Sequence, residues 1–329
     1  MNLLIDNLIL FIPSFLITVS VMPIFIKVMS NQQRMAKIRT LGPDHAAKAG
    51  TPSMGGAVFV LAAMISIIIS TIVKDASSKA ILFPLLSFAA FGLIGFADDF
   101  IKMLLRRDEG FRAVPKLIAQ FLAAISVGGL LYMSNWNPTF VLPRMGSYPI
   151  GWFLYIIFLI IWFVGWSNAT NFTDGLDGLL TGISIIAYAG YFVMAIYFNN
   201  QILQIVDGAV IGALIGFFIF NKPKAKIFMG DVGSLSLGAG LAMNSILIGQ
   251  PLSLLWIGLI FIIETLSIII QVGGYRILKR RIFPMAPIHH SFEKIGWSEI
   301  KIDYLFWGSQ LVITVVGILV WLVVAQSHG

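Results

Sequence analysis

Apolar segments of about twenty residues recur from one end of this sequence to the other, and that recurrence is its strongest constraint. A helix needs roughly 20 apolar residues to cross the hydrocarbon layer of a membrane. Ten such windows lie between the polar interruptions, over residues 6–29, 54–73, 81–100, 115–134, 151–167, 179–198, 205–220, 234–248, 253–275 and 303–325. The 329 residues are 58% hydrophobic and only 11% charged, whereas about a quarter of an ordinary soluble domain is charged. No polar stretch is long enough to fold separately, so one domain over residues 1–329 is expected. The fold class is an all-α polytopic membrane protein of about ten transmembrane helices. The run from Leu3 to Met29 has neither a basic beginning nor a small-residue cleavage site and reads as a retained span.

Charge orients the spans. With the N-terminus outside, every Lys and Arg except Lys74, Lys79 and Arg144 falls in an inner segment, as the positive-inside rule requires. Both termini are then outside. Most acidic residues, among them Asp98, Asp99, Asp174, Asp177 and Asp231, share the inner, cytoplasmic side with the basic ones. The net charge of +7 is thereby a membrane-surface feature, and no nucleic-acid partner is expected. The absence of cysteine excludes disulfides, thiolate metal sites and cysteine nucleophiles. Between the fourth and fifth spans, Asn137-Pro138 and Gly146-Ser147 read as turns of a small hairpin.

Four polar clusters carry candidate chemistry. Asp98 and Asp99 close an apolar run and precede Lys102; carboxylates at a membrane boundary are expensive. They are either a solvated acidic stop or oxygen ligands for Mg²⁺ beside a phosphate. Asn168, Asn171, Asp174 and Asp177 repeat every three residues at the inner end of the fifth span, so on a helix neighbouring members address one ligand, and Gly175 and Gly178 also allow a tight non-helical approach. Asn221, Lys222, Lys224, Lys226, Phe228 and Asp231 combine phosphate-binding cations, a stacking ring and a metal ligand, although the lysines alone also suit anionic lipid. The order of a Walker loop is absent. His289 and His290 lack the i, i+4 spacing of a helical zinc pair and suit phosphate contact instead. Glu264, inside the ninth span, reads as a buried structural pairing.

In order, Lys48-Ala-Gly-Thr-Pro-Ser53-Met-Gly-Gly56, Ala97-Asp98-Asp99-Phe-Ile-Lys102, Asn168 to Gly178, Met229-Gly-Asp231 and Pro287-Ile-His289-His290 resemble the motifs of the phospho-N-acetylmuramoyl-pentapeptide transferases, within the polyprenyl-phosphate N-acetylhexosamine-1-phosphate transferase superfamily. The resemblance spans nearly the whole chain. It implies Mg²⁺-dependent transfer of the phosphosugar-peptide from UDP-N-acetylmuramoyl-pentapeptide to undecaprenyl phosphate, releasing UMP, at the cytoplasmic face of a bacterial inner membrane. By that resemblance Asp231 binds the metal, Asp98 is base or nucleophile, Asp99 supports the same centre, and His289 joins the catalytic group. Phe228 stacks on uracil; Asn171, Asp174, Asp177 and Asn221 line the nucleoside pocket; Lys48, Lys102 and Lys116 steady phosphates. Ser53, Asn168 and His290 complete the substrate-binding set. A groove beside the ninth span is expected to take the prenyl chain, and a homodimer is expected by analogy. Two departures stand out: Ser291 occupies the place of a third histidine, and Ser53 that of a threonine. Ser291 argues against a mechanism needing three imidazoles. The rival readings are a sister enzyme transferring N-acetylglucosamine phosphate and a cation-coupled transporter, whose carboxylates belong near the midplane.

Overall fold

The computed structural model describes residues 3–33, 50–76, 79–105, 110–142 and 146–326. Its helices are α1 (Leu3–Gln33), α2 (Gly55–Val73), α3 (Leu82–Leu105), α4 (Ala113–Met133), α5 (Trp152–Thr173), α6 (Leu179–Tyr197), α7 (Gln201–Asn221), α8 (Gly230–Leu247), α9 (Leu254–Ile257), α10 (Leu259–Leu278), α11 (Ile288–Lys294) and α12 (Glu299–Gln326). Between α4 and α5 the expected hairpin is present as β1 (Thr139–Leu142) paired antiparallel with β2 (Gly146–Pro149), Phe140 opposite Tyr148. Among the described residues nine helices, α1 to α7, α10 and α12, are long and apolar enough to cross a bilayer. Large apolar side chains such as Ile72, Leu93, Leu104 and Ile269 stand exposed around the bundle, which a protein in water would bury and a protein in lipid need not. The chain is an all-α polytopic membrane protein.

Two details differ from the sequence reading. The eighth window is a helix, α8, but it is less apolar than the other nine because it lies at the centre of the bundle: every residue from Val232 to Ile246 is buried. Sheathed by α2, α3 and α5, it is rich in glycine, alanine and serine, the residues that let helices approach closely without a hydrophobic drive between them. A Cβ on Gly56 would lie 2.2 Å from the backbone N of Gly233, and one on Gly95 would lie 2.2 Å from the carbonyl O of Asp231. The ninth window is interrupted at Gly258, which separates α9 from α10 and lies against the Trp166 ring.

The packing fixes which ends lie together. On α7, Gly208, Gly212 and Gly216 face Leu10, Phe11 and Phe15 of α1 in the same order, so these two helices run parallel, joined by small residues at intervals of four. Trp307 of α12 donates to the Leu179 carbonyl at the start of α6, while Trp321 packs on Tyr197 at its end. The start of α1 and the end of α12 therefore lie at one end of the bundle. The ends of α3 and α5 and the start of α8, which carry the acidic residues, lie at the other.

Candidate active site

At that second end two helices deliver three carboxylates and two deliver lysines. Asp98 and Asp99 sit in the last two turns of α3, almost wholly buried. Asp231 sits in the first turn of α8. The close α3–α8 approach through Gly95 places one oxygen of each of these three carboxylates within 4.8 Å of the others. Two cations lie among them. Lys102 Nζ is 2.5 Å from Asp98 Oδ2, 3.2 Å from Asp231 Oδ2 and 3.7 Å from Asp99 Oδ1. Lys116, in the first turns of α4, places Nζ 2.5 Å from Asp231 Oδ2 and 3.9 Å from Asp98 Oδ1.

Backbone N–H groups hold the acids in place. Phe111 donates to Asp98 Oδ1 at 2.8 Å and Val232 to Asp99 Oδ2 at 3.2 Å. Gly230 adopts φ +76°, and a Cβ there would lie 2.5 Å from Asp99 Oδ2 and 3.0 Å from Ser53 Oγ. Glycine is needed for both reasons, the left-handed turn and the close approach. From α5, Asn171 Nδ2 donates to Asp231 Oδ1 and to Ser234 Oγ, each at 2.9 Å. Asp174, just beyond α5, accepts from the backbone N–H of Gly230. Desolvation, then the neighbouring Asp231 and Asp99 carboxylates, push its carboxyl up to about 8.

The structure thus brings Asp98, Asp99, Lys102, Lys116, Asn171 and Asp231 into direct contact, with Asp174 and Ser53 bordering them through Gly230. Other expected site residues brace the surroundings. Asn168 is one turn further into α5 and exchanges hydrogen bonds with Gln120 of α4, at 2.8 and 3.4 Å. Asp177 Oδ2 accepts from Ala225 N at 2.9 Å. Asn221 is buried, accepting from Thr181 Oγ1 at 2.6 Å and donating to the Ile227 carbonyl at 3.0 Å. These two residues hold the 222–228 loop that presents half-buried Phe228, whose own backbone is tied to Pro52 and Gly55. Lys48 lies outside the described residues.

His289 forms a separate wall of the same end. It is fully buried, its Nδ1 3.1 Å from Glu264 Oε2, and a Cβ on Gly175 would lie 2.1 Å from its Nε2. Glu264 also accepts from the Ile288 N–H at 2.9 Å, so the carboxylate inside the ninth window is the buried pairing partner that its cost in lipid implied. His290 is paired with Glu293 at 2.5 Å. Ser291 hydrogen-bonds both backbone groups of Met285, a bracing role within the loop before α11. Gln120 and Ser234 escaped the sequence reading. Gln120 had a signal, being a polar side chain one turn after Lys116 in an apolar helix; Ser234 had none, since serine is common on a small-residue helix.

The donor set is made of hard oxygens, two of them on adjacent residues, and it fits a hard divalent cation that keeps part of its water shell and shares its ligands with phosphate. Asp98 and Asp99 join Asp231 as candidate ligands. Two lysines beside three carboxylates leave room in the charge balance for such a cation and for an anionic substrate.

Residues 80–249 match the model of glycosyl transferase family 4. The chain is 52% identical to the phospho-N-acetylmuramoyl-pentapeptide-transferase of Leuconostoc mesenteroides over 311 residues, covering 94% of this chain and 97% of that protein. It is 44% identical to the protein of the same name from Lactobacillus johnsonii (96% and 99% covered) and 42% identical to that from Enterococcus faecalis (95% and 98%).

Proposed function

The chain belongs to the phospho-N-acetylmuramoyl-pentapeptide-transferase family, and from that premise we infer that it transfers phospho-N-acetylmuramoyl-pentapeptide from its UDP carrier to undecaprenyl phosphate, forming lipid I and UMP in peptidoglycan synthesis. The observation that carries this reading is the cluster of Asp98, Asp99 and Asp231 threaded by Lys102 and Lys116. Phosphoryl transfer between two anions requires charge neutralisation and alignment before chemistry, and this cluster provides both at one end of a lipid-embedded bundle.

Mg²⁺ is the cation we assign to Asp231 with Asp98 and Asp99; bound there it would neutralise the diphosphate of the donor. Asp98 is the group we assign to take the proton from the acceptor phosphate, because its Oδ1 is fixed by the Phe111 N–H while Lys102 holds the other oxygen. Lys102 and Lys116 would transfer their attraction from the carboxylates to substrate phosphates, and Asn171 would keep Asp231 oriented as they move. Phe228, presented by the loop that Asp177 and Asn221 brace, offers its ring to uracil, with Asp174 beside it. His289, held by Glu264, and His290, held by Glu293, border the sugar-peptide. Ser53 and Asn168 support the donor side, and Lys48 is assigned to the phosphates by the resemblance alone.

The basic and acidic residues share the end of the bundle that we assign to the cytoplasmic face of a bacterial inner membrane, on the positive-inside rule. The exposed apolar flank of α10 would carry the prenyl chain of the acceptor. The homodimer rests on the resemblance alone, and native mass spectrometry of the purified protein tests it.

The deciding experiment is UMP release by the purified protein with undecaprenyl phosphate and Mg²⁺, comparing UDP-N-acetylmuramoyl-pentapeptide with UDP-N-acetylglucosamine. Release from the first donor alone, lost in Asp231→Ala, establishes the reading. Release from the second moves the chain to the sister activity, and release from neither by a folded sample defeats both.

A further inference from the structure

The inner end of α10 carries a second cationic feature outside the carboxylate cluster. Lys279 ends this helix in a left-handed conformation, φ +54°, and the chain folds back along the last two turns. Ile282 packs against Gly274, where a Cβ would lie 2.2 Å from its Cδ1. Gln271 ties the returning segment down, accepting from the Ile282 and Phe283 N–H groups at 3.0 and 2.9 Å and donating to the Phe283 carbonyl at 2.9 Å. This fold-back encloses a cleft of about 650 Å³ whose lining includes Arg276, Arg281, Lys294, Tyr275, Gln271 and Val272.

Three cations and no carboxylate line that cleft. Among the described residues none of the three forms an ion pair, and Glu293, next to Lys294, is engaged by His290. Like charges converging without compensation raise the local positive potential and favour an anion. Above the cleft, α10 presents Ile269, Ile270 and Val272 exposed on the lipid-facing bundle surface, and Tyr275 stands at the boundary between apolar helix and basic loop. A basic head-group pocket below an apolar track has the amphipathic layout of a phospholipid at a membrane interface.

We propose that the cleft between the end of α10 and the 281–294 segment binds the phosphate head group of an anionic glycerophospholipid, with Arg276, Arg281 and Lys294 as its cations and its acyl chains in the surrounding lipid. This site is separate from the phosphate-binding lysines Lys102 and Lys116. It makes the protein sensitive to the anionic lipid content of the leaflet that also supplies its acceptor.

The test is native mass spectrometry of the full chain released from detergent after equilibration with equal amounts of phosphatidylglycerol and phosphatidylcholine. The wild type is expected to retain phosphatidylglycerol preferentially. The triple variant Arg276→Gln, Arg281→Gln, Lys294→Gln is expected to lose that preference by on the order of a hundredfold, roughly fivefold per cation removed. Arg276→Lys with Arg281→Lys should keep most of it. If the triple variant does not fold, Lys294→Gln, an exposed substitution, is read alone and should lose roughly fivefold. Unchanged retention in a folded variant overturns the proposal. So does displacement of phosphatidylglycerol by stoichiometric undecaprenyl phosphate, which would make the acceptor the occupant, or by the UDP-linked donor, which would make it a site for peptide carboxylates.

Discussion

Lys116 Nζ lies 2.5 Å from Asp231 Oδ2, joining the beginning of α4 to the beginning of α8 across 115 residues of sequence. The ammonium occupies space that a metal ion or a substrate phosphate would contest, so the pair is a closed circuit that substrate binding must open. Lys116→Ala is expected to leave the protein folded and to reduce the rate of UMP release by about 10²–10³, the usual loss for one preorganised charge at a transition state. Lys116→Arg should recover part of the rate, because the charge returns on a bulkier fork. An alanine variant within threefold of wild type would remove Lys116 from the machinery.

Metal dependence should track the three-carboxylate group and not the histidines. Chelation with EDTA should abolish UMP release and added Mg²⁺ should restore it. Binding of Mn²⁺, followed by electron paramagnetic resonance in the absence of substrate, should weaken at least tenfold in Asp231→Ala and remain near wild type in His290→Ala. Equal weakening in both variants would place the cation elsewhere.

The carboxyl of Asp174, pushed up to about 8 from an ordinary 3.8, binds a proton in the folded protein that the unfolded chain has already released at neutral pH. Stability linked to this group is therefore present at low pH and is lost as pH rises from about 4 toward 8. In EDTA, the thermal midpoint of the wild type should fall across that window more steeply than that of Asp174→Asn. Parallel profiles for the two proteins would contradict the shift. Because the side chain is only partly buried, the difference is expected as a slope and not as a collapse.

Gly95→Ala should be costly although the change is one methyl group. The added Cβ meets the Asp231 backbone at 2.2 Å, so α3 and α8 must separate, at a cost of about 1–3 kcal/mol for an overpacked interior. Activity should fall further than stability, since the same separation spreads Asp98 and Asp99 away from Asp231. Gly129→Ala, where no atom lies within 4 Å of the new Cβ, is the control and should be silent in a denaturant or thermal scan.

Much of this architecture was readable in the sequence because lipid imposes one strong rule, apolar length, and makes every departure from it conspicuous. Asp98, Asp99, Lys102 and Glu264 stood out against apolar runs, and the hairpin announced itself through Asn137-Pro138 and Gly146-Ser147. The break at Gly258 did not, since glycine within Leu254–Leu259 is unremarkable in a membrane helix. The convergence of α3, α4, α5 and α8 could not be read either. Whether Lys116 meets Asp231, or Asn221 faces a ligand or its own loop, depends on helix packing, and an amide side chain carries no mark of the partner it will find. The resemblance supplied roles for such residues; the geometry separates those in contact with the carboxylates from those that brace them.

The burial of α8 also bears on how the protein is made. This helix enters the membrane with less hydrophobicity than its nine companions, and insertion from the ribosome selects segments by hydrophobicity. Its partners α2, α3 and α5 precede it in synthesis, so a cradle of already inserted helices can receive it through close contacts at Gly56 and Gly95. Seating and catalysis are thereby joined: the helix held at the centre is the one that carries Asp231, and a chain in which it is not seated lacks one of the three clustered carboxylates.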